Sequence, residues 1–598
     1  MTIIEEIKAK LPKLKTNDYL RYLNIVEKKV NLRKLSSLKI AILRSYTVEP
    51  LEPLLKLRLI LEGFNPKFLY GGYSQFAQEA FDNSSFLYSY KPDIILFLAR
   101  LEDLLPNFFS DFDSMSFFEW KQAIKSLVKQ LGTYARNIRR KLKSQIIFQN
   151  MSFGSLPYWG VFDAQQIENQ VSLVHNLNQL LIKEMNHIPD AFIWDFNHFL
   201  LRKGFDFVYD PKMWYLSKNP FRHSAYPEII ADLCKYIISA IGKVKKCIVL
   251  DLDNTLWGGI IGEDGMAGIA LGQDYPGICY VDFQRKLLNL FHRGILLAIN
   301  SKNNEEDAFE VIDNHPDMVL RRKHFASYQI NWNDKATNLM AIAKVLNIGI
   351  DSFIFIDDNP VECEFIRQQF LECTVVRLPD KPYLIPIVAS YLPGIENIRL
   401  TAEDQKKGEF YQAQLERKKF ENLSGDIGEF LESLEMEMEI KPACDFTIPR
   451  ISQLTQKTNQ LNMTTRRYSE ADIIEFASSS DCDVFSVSSR DRFGENGIVG
   501  VIILKFVRQT CYIDTFLLSC RVIGRTIEQS MVAFIVEFAK ARGIYELIGE
   551  FIPTKKNKPA GDIYASQNFR KIDENRFVAD LRDQKFEYSP YIKHSIKT

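Results

Sequence analysis

Val249-Leu250-Asp251-Leu252-Asp253-Asn254-Thr255-Leu256-Trp257-Gly258-Gly259 decides the fold of the middle of this chain. The apolar lead-in from Cys247 to Leu250 predicts a buried strand. Side chains alternate along a strand, so Asp251 and Asp253 project the same way, two residues apart. Two carboxylates on one face at the end of a parallel strand repel unless a cation or proton sits between them. That is the start of a Mg²⁺ site with a carboxylate nucleophile. Thr255 is expected to cap the turn after the strand, and the Gly258-Gly259 pair permits a tight flap over the site.

Three further elements follow in order. Gly294-Ile295-Leu296-Leu297-Ala298-Ile299-Asn300-Ser301 is a second apolar strand ending in a hydroxyl. Asn333-Asp334-Lys335 opens a helical stretch and supplies a cation. Asp351-Ser352-Phe353-Ile354-Phe355-Ile356-Asp357-Asp358-Asn359 is a third strand with two acids at its end. Open α/β sheets place ligands at such carboxyl ends. These residues resemble the four motifs of the haloacid dehalogenase (HAD) phosphohydrolase superfamily, and the Asp-Leu-Asp-Asn-Thr-Leu-Trp-Gly-Gly form is similar to its FkbH-like branch.

The resemblance implies a role for each residue. Asp251 attacks phosphorus and forms an aspartyl phosphate. Asp253 protonates the leaving oxygen and later activates water. Asp251, the backbone carbonyl of Asp253, and Asp357 hold Mg²⁺, with Asp358 joining through a water. Ser301 and Lys335 hold the non-bridging phosphate oxygens. No long insertion separates the first two motifs, so the site is expected to be open to a bulky phosphorylated partner.

At 598 residues the chain is too long for one core, and three domains are expected. Lys+Arg equals Asp+Glu at 75 each, so no net field favours nucleic acid. Nine Cys without a Cys-x-x-Cys pair form neither a zinc framework nor a disulfide scaffold, and reduced thiols in the cytosol are the simplest reading. Met1-Thr2-Ile3-Ile4-Glu5-Glu6 is not expected to be a signal peptide. No stretch approaches about 20 uncharged apolar residues, so no membrane span is expected.

Residues 1–36 read as a helical segment. Strands near Leu38–Leu43, Phe68–Gly72, Pro92–Leu98, Lys143–Phe148 and Ala191–Asp195 then alternate with helices, which predicts a parallel sheet over residues 37–242. This part resembles the SGNH-hydrolase-like domain that precedes the phosphatase in FkbH-like proteins. Ser45 stands where the serine nucleophile of that family lies, and Asp195-Phe196-Asn197-His198 mimics its Asp-x-x-His element. Arg44-Ser45 departs from the usual Gly-Asp-Ser turn and Gly-x-Asn-Asp is missing, so a degenerate packing or partner-binding domain is expected. Residues 243–400 are the expected phosphatase domain, and 401–445 a charged helical linker.

Residues 446–598 change character. The strand Thr510–Leu518 runs into Ser519-Cys520-Arg521-Val522-Ile523-Gly524-Arg525-Thr526 and then a helix. Such a junction offers free backbone N–H groups to a phosphate. It resembles the pyrophosphate loop of GNAT acyltransferases, with Thr526 in place of the last small residue and Tyr564…Asn568-Phe569 where Tyr…Gly-Phe is usual. Arg521, Gly524 and Thr526 are therefore candidates to hold the pyrophosphate of CoA or a phosphopantetheine arm. Lys555, Lys556 and Lys558 are candidates to meet a carrier's acidic surface. Cys520, beside Arg521 at the start of that helix, is a candidate acyl-carrying thiolate or simply a small packing residue.

The expected fold class is α/β and multidomain: Rossmann-like parallel sheets, SGNH-like and HAD-like, plus a C-terminal GNAT-like α+β domain. FkbH-like proteins are glyceryltransferase/phosphatases of polyketide and related pathways. The resemblance therefore implies an Mg²⁺ enzyme that takes a glyceryl group from 1,3-bisphosphoglycerate, removes phosphate, and delivers a thioester to an acyl carrier protein. A simple phosphatase acting on a small or carrier-linked phosphoester is the alternative.

Overall fold

The computed structural model describes residues 3–11, 14–154, 156–423, 426–458, 460–554, 557–582 and 584–596. It divides into two compact units, Met1–Ile241 and Gly242–Thr598.

The first unit is built on five parallel strands: β1 (Ser36–Arg44), β2 (Phe64–Tyr73), β3 (Ile94–Leu98), β4 (Gln145–Gln149) and β5 (Ala191–Trp194). They lie in the order β2-β1-β3-β4-β5. Alternate residues of β1 enter different cores. Ile40 and Ile42 pack with the amino-terminal helix Thr16–Lys29, while Ala41 and Leu43 pack with the helix Phe117–Lys141. A sheet covered on both faces needs apolar residues in both registers, which is why its strands read as continuous apolar runs. The helix Phe117–Lys141 starts where Ser116 and Glu119 cap each other reciprocally.

The second unit begins with another five parallel strands: β6 (Cys247–Leu250), β7 (Leu296–Ser301), β8 (Phe325–Ile330), β9 (Phe353–Asp357) and β10 (Thr374–Arg377). Their order is β10-β9-β6-β7-β8. Strand β6 lies at the centre, so its carboxyl end sits between those of β7 and β9. Ile248 and Leu250 face one core, Cys247 and Val249 the other.

The same unit ends in a mixed sheet, the α+β part of the chain. Its strands are β11 (Met436–Pro442), β12 (Leu461–Asn462), β13 (Cys482–Asp491), β14 (Gly494–Val507), β15 (Thr510–Leu518), β16 (Glu546–Glu550), β17 (Arg570–Lys571), β18 (Arg576–Asp580) and β19 (Ile592–Ile596). The order is β17-β18-β16-β15-β14-β13-β11-β19, with β12 paired to β15. The stretch 401–445, expected to be helical, is helical only as far as Ser433 and then becomes β11. Met436, Met438 and Ile440 alternate inward with Glu437, Glu439 and Lys441 between them, a period of two that suits a strand.

Strands β15 and β16 run parallel from Thr510↔Glu546 to Ile513↔Gly549 and then part. The short β12 enters the gap, pairing Leu461↔Leu518 and Asn462↔Leu517. Met463 N donates to Phe516 O at 3.1 Å and Ile552 N to Met463 O at 2.8 Å, so this segment joins the two diverging strands. Among the described residues no helix is long and apolar enough to cross a membrane.

Candidate active site

The backbone sets the first carboxylate. Asp251 N donates to Ile356 O at 3.1 Å, which extends the β6–β9 ladder one residue beyond the strand. Leu252, Leu256 and Trp257 are fully buried in the core beside β6 and anchor the turn that follows. Burying three such side chains is worth about 1.5–3 kcal/mol each. Asn254 takes a positive φ of 52°, and its Oδ1 accepts from Gly259 N at 2.9 Å. Gly258 then pairs with Ala270 in an antiparallel bridge and closes the flap. A Cβ on Gly258 would stand 2.8 Å from the Tyr280 ring, so only glycine fits.

Asp253 is held by three donors. Its Oδ1 accepts from Trp257 Nε1 at 2.8 Å and from Ile261 N, in the flap helix Ile261–Gly268, at 3.1 Å. Its Oδ2 accepts from Asn303 Nδ2 at 2.8 Å. The same Nδ2 lies 3.4 Å from Ser301 Oγ, the buried hydroxyl that ends β7.

Lys335 is the first residue of the helix Lys335–Leu346, where Asp334 is the N-cap. Asn300 Nδ2 donates to Lys335 O at 2.8 Å and ties this helix start to β7. The buried Lys335 Nζ lies 2.9 Å from Asp251 Oδ2 and 2.5 Å from Asp357 Oδ2. Burial by itself would lower the pKa of this amine, but the two carboxylates override it and hold it raised.

Asp357 ends β9, is fully buried, and its Oδ1 accepts from Asn359 N at 2.8 Å. Burial, followed by repulsion from Asp251, pushes its carboxyl up to about 7 against the pull of Lys335. Asp358 is raised for the same two reasons, burial and then Asp251. One oxygen from each of Asp251, Asp357 and Asp358 lies within 4.8 Å of the others. Two of these three acids share one lysine, and an all-oxygen set of this kind suits a hard divalent cation. The donor set therefore fits Mg²⁺.

The structure thus brings Asp251, Asp253, Ser301, Lys335, Asp357 and Asp358 together at the carboxyl ends of β6, β7 and β9. Asp358, expected to join through a water, has a carboxylate oxygen within 4.8 Å of oxygens of Asp251 and Asp357. Thr255 does not cap the turn: its buried Oγ1 has no hydrogen-bond partner. The three donors to Asp253 escaped the sequence reading. A donor amide two residues after the motif hydroxyl is the signal that could have found Asn303.

The candidate loop of the last sheet is more enclosed than the sequence suggests. Arg521 is buried with its guanidinium 4.7 Å from the Phe410 ring. Arg525 Nη2 donates to Arg521 O at 2.8 Å. Thr526, at a φ of 60°, shares a hydrogen bond with Ser589 Oγ at 2.6 Å. Gly524 is exposed at a φ of 82°. The Cys520 side chain lies outside the described residues, as do Lys555 and Lys556, and Lys558 is exposed. In the first unit, Ser45 Oγ donates to Asp103 Oδ2 at 2.6 Å and accepts from Arg100 N at 3.0 Å. Asp195 caps the helix that carries His198, accepting from His198 N at 3.0 Å.

Residues 39–237 match the family described as FkbH, N-terminal domain. The chain is also similar to the N-terminal part of protein BF1531 from Bacteroides fragilis, a structure containing a phosphatase domain complexed with Mg. The identity is 27%, over 65% of this chain and 100% of that one, at a TM-score of 0.58. Slighter overlaps exist with the ribosomal-protein-S18-alanine N-acetyltransferase of Escherichia coli and with a GNAT-family acetyltransferase of Staphylococcus aureus Mu50. The first is 11% identical over 25% of this chain and 99% of that chain, at a TM-score of 0.20. The second is 12% identical over 24% and 99%, at 0.19. No protein of curated function matches the chain.

The middle sheet carries its acid, hydroxyl and lysine site within the part of the chain that is similar to the phosphatase-containing neighbour. Together with the Mg-complexed neighbour and the FkbH match, these residues support a phosphatase-type function.

Proposed function

We propose that this chain is an Mg²⁺-dependent phosphohydrolase that uses Asp251 as nucleophile and serves to load a glyceryl unit onto an acyl carrier protein thiol. The observation that carries the first half is the Lys335 bridge between Asp251 and Asp357, with Ser301 and Asp358 around it. Asp251, Asp357 and Asp358 would hold the metal, which when bound supplies charge stabilisation at the phosphoryl oxygens.

An Asp251 oxygen attacks phosphorus, and the bond from phosphorus to the leaving oxygen breaks. Asp253, once protonated, gives its proton to that oxygen. Water then attacks the aspartyl phosphate, and Asp253 takes the proton from that water. The bond between phosphorus and the Asp251 oxygen breaks and inorganic phosphate leaves. Ser301 and Lys335 hold the non-bridging oxygens throughout. The flap keeps Asp253 aimed, because Ile261 N and Trp257 Nε1 both grip it.

The substrate proposed is 1,3-bisphosphoglycerate, and the acceptor a phosphopantetheine thiol. The thiolate attacks the acyl carbon, the bond from that carbon to the phosphate oxygen breaks and inorganic phosphate leaves. The Asp251 site hydrolyses the remaining phosphate ester. The likeness of residues 249–259 to FkbH-like proteins and the FkbH match support this reading. Incubation with 1,3-bisphosphoglycerate, MgCl₂ and candidate carriers tests it. Mass spectrometry of the carrier should show an added glyceryl group, lost in Asp251→Asn. Phosphate release without carrier loading would sink the transfer half and leave the phosphatase intact.

A second reading, a simple phosphatase with the last domain as a docking module, gains support from one feature. Arg521, Arg525 and Thr526 are already engaged within the chain, and β12 fills the gap between β15 and β16. Equal turnover of a small phosphoester with and without carrier, unchanged in Cys520→Ala, would favour it.

A further inference from the structure

Single exposed apolar side chains are ordinary on a protein surface. Trp332 is set apart by where it stands and how firmly it is held. At 71% it is the most exposed of the six tryptophans. It follows β8 in the loop that leads to Lys335. Asn331 N donates to Ser301 O at 3.1 Å, which carries the β7–β8 pairing past the strands and fixes this loop beside the motif hydroxyl. Asn331 Oδ1 accepts from Asn333 N and from Asn338 Nδ2, both at 3.0 Å. The indole Nε1 donates to Asn304 Oδ1 at 3.2 Å, and Nδ2 of the same amide donates to Asp307 Oδ2 at 3.1 Å. The ring is thus tied to the segments that follow β7 and β8, with most of its apolar surface in water. An indole bonded at its N–H and bare on its faces is arranged to meet a partly apolar ligand.

Asp253 tells which side of the site this is. Its Oδ2 accepts from Asn303 Nδ2, and Asn303 directly precedes the Asn304 that holds the indole. Its Oδ1 accepts from Ile261 N, and the preceding Ile260 is 39% exposed on the flap. Two of the three donors to Asp253 therefore lie close in sequence or contact to an exposed apolar side chain. With Asp253 as the acid, the oxygen it protonates is the leaving oxygen, and whatever that oxygen carries departs past Asp253. Neighbouring strands lie about 4.8 Å apart, which sets the end of β8 about 10 Å from that of β6. A leaving group must run several atoms beyond its oxygen to meet the ring. A free three-carbon phosphoester, short and polar throughout, would leave the ring unused.

We propose that Trp332 is a specificity residue of the Asp251 site, and that its indole receives an apolar chain on the alcohol side of a phosphomonoester. The proposal rests on the phosphohydrolase reading for the direction in which the leaving group departs. It narrows the substrate class to a phosphate ester borne on a long, partly apolar arm. The arm of a carrier-bound ester has that character.

Calorimetric titration of the full-length chain, in MgCl₂, with n-hexylphosphonate and with methylphosphonate tests this without turnover. Both present the same oxyanion, and only the first has a chain. Hexylphosphonate should bind the wild type at least about tenfold more tightly, the worth of about two buried methylenes. In Trp332→Ala that ratio should fall to about twofold or less through loss of the hexyl affinity, and Trp332→Phe should keep most of it. A wild type indifferent to chain length overturns the proposal. So does a Trp332→Ala variant that binds both phosphonates equally more weakly, which would mark the ring as structural. Phosphate release from n-hexyl phosphate and glycerol 3-phosphate is followed in the same proteins. The kcat/KM ratio of the hexyl ester to the glycerol ester should drop about tenfold in Trp332→Ala. A wild type that discriminates chain length in binding yet releases phosphate from neither ester would count against the phosphatase reading and support this site.

Discussion

Asn303 Nδ2 donates to Asp253 Oδ2 at 2.8 Å, and through that bond the strand end of Ser301 steers the carboxylate expected to move the proton. Asn303→Ala should lower kcat about 10- to 100-fold, the worth of a buried hydrogen bond to a charged group. KM for substrate should change little, because Asn303 is not among the residues expected to hold the phosphate. Asn303→Asp should not rescue it, since a second acid would face Asp253. Steady-state kinetics of the three proteins decide the point.

Among the described residues Lys335 is the one cation paired with Asp251 and Asp357. Removing one member of a buried ion cluster costs about 3–5 kcal/mol. Lys335→Met should therefore unfold at a lower temperature, and its turnover should fall at least about 100-fold. Mg²⁺ should then stabilise the variant more than the wild type, because no lysine competes with the metal for those acids. Unfolding midpoints with and without saturating MgCl₂ measure this. Equal Mg²⁺ effects in both proteins would contradict the placement of the ion.

The carboxyl of Asp357 sits at about 7 in the folded chain against 3.8 in its unperturbed state. The folded state therefore holds that proton more tightly than the unfolded one. Its stabilising contribution is complete below the unfolded value and is lost as pH rises through about 7. Mg²⁺ binds the ionised acids, so its own stabilisation grows over the same window. The difference in unfolding midpoint caused by MgCl₂ should widen from about pH 5 to about pH 8. A constant difference across that range would show that these acids do not take the metal.

Thr255 Oγ1 is buried without a partner. Leaving a hydroxyl unsatisfied costs about 1–3 kcal/mol. Thr255→Val keeps the shape and should raise stability by up to about 1 kcal/mol. Chemical denaturation measures it. A loss of stability would mean that the hydroxyl has a partner in solution.

Asp251, Ser301, Lys335 and Asp357 were legible in the sequence because each ends a strand or starts a helix that its own neighbours specify. Continuous apolar runs announce strands buried on both faces, and such strands lead to a common edge of a parallel sheet. The five strands of the first unit were legible for the same reason. Strand β11 was not, since Met436 to Pro442 follows a charged helical stretch and its alternation is short.

What the linear order of residues determined was local: which segments form strands, where each ends, and which chemistry stands there. Only the tertiary structure decided the pairings that join distant segments. Trp257 and Asn303 meet on Asp253, β12 enters between β15 and β16, and Gln453 donates to Asp404 from 49 residues away. The physical reason is range. Strand and helix patterns arise from neighbours a few residues apart, while hydrogen bonds and buried charges depend on groups that packing brings together from anywhere in the chain.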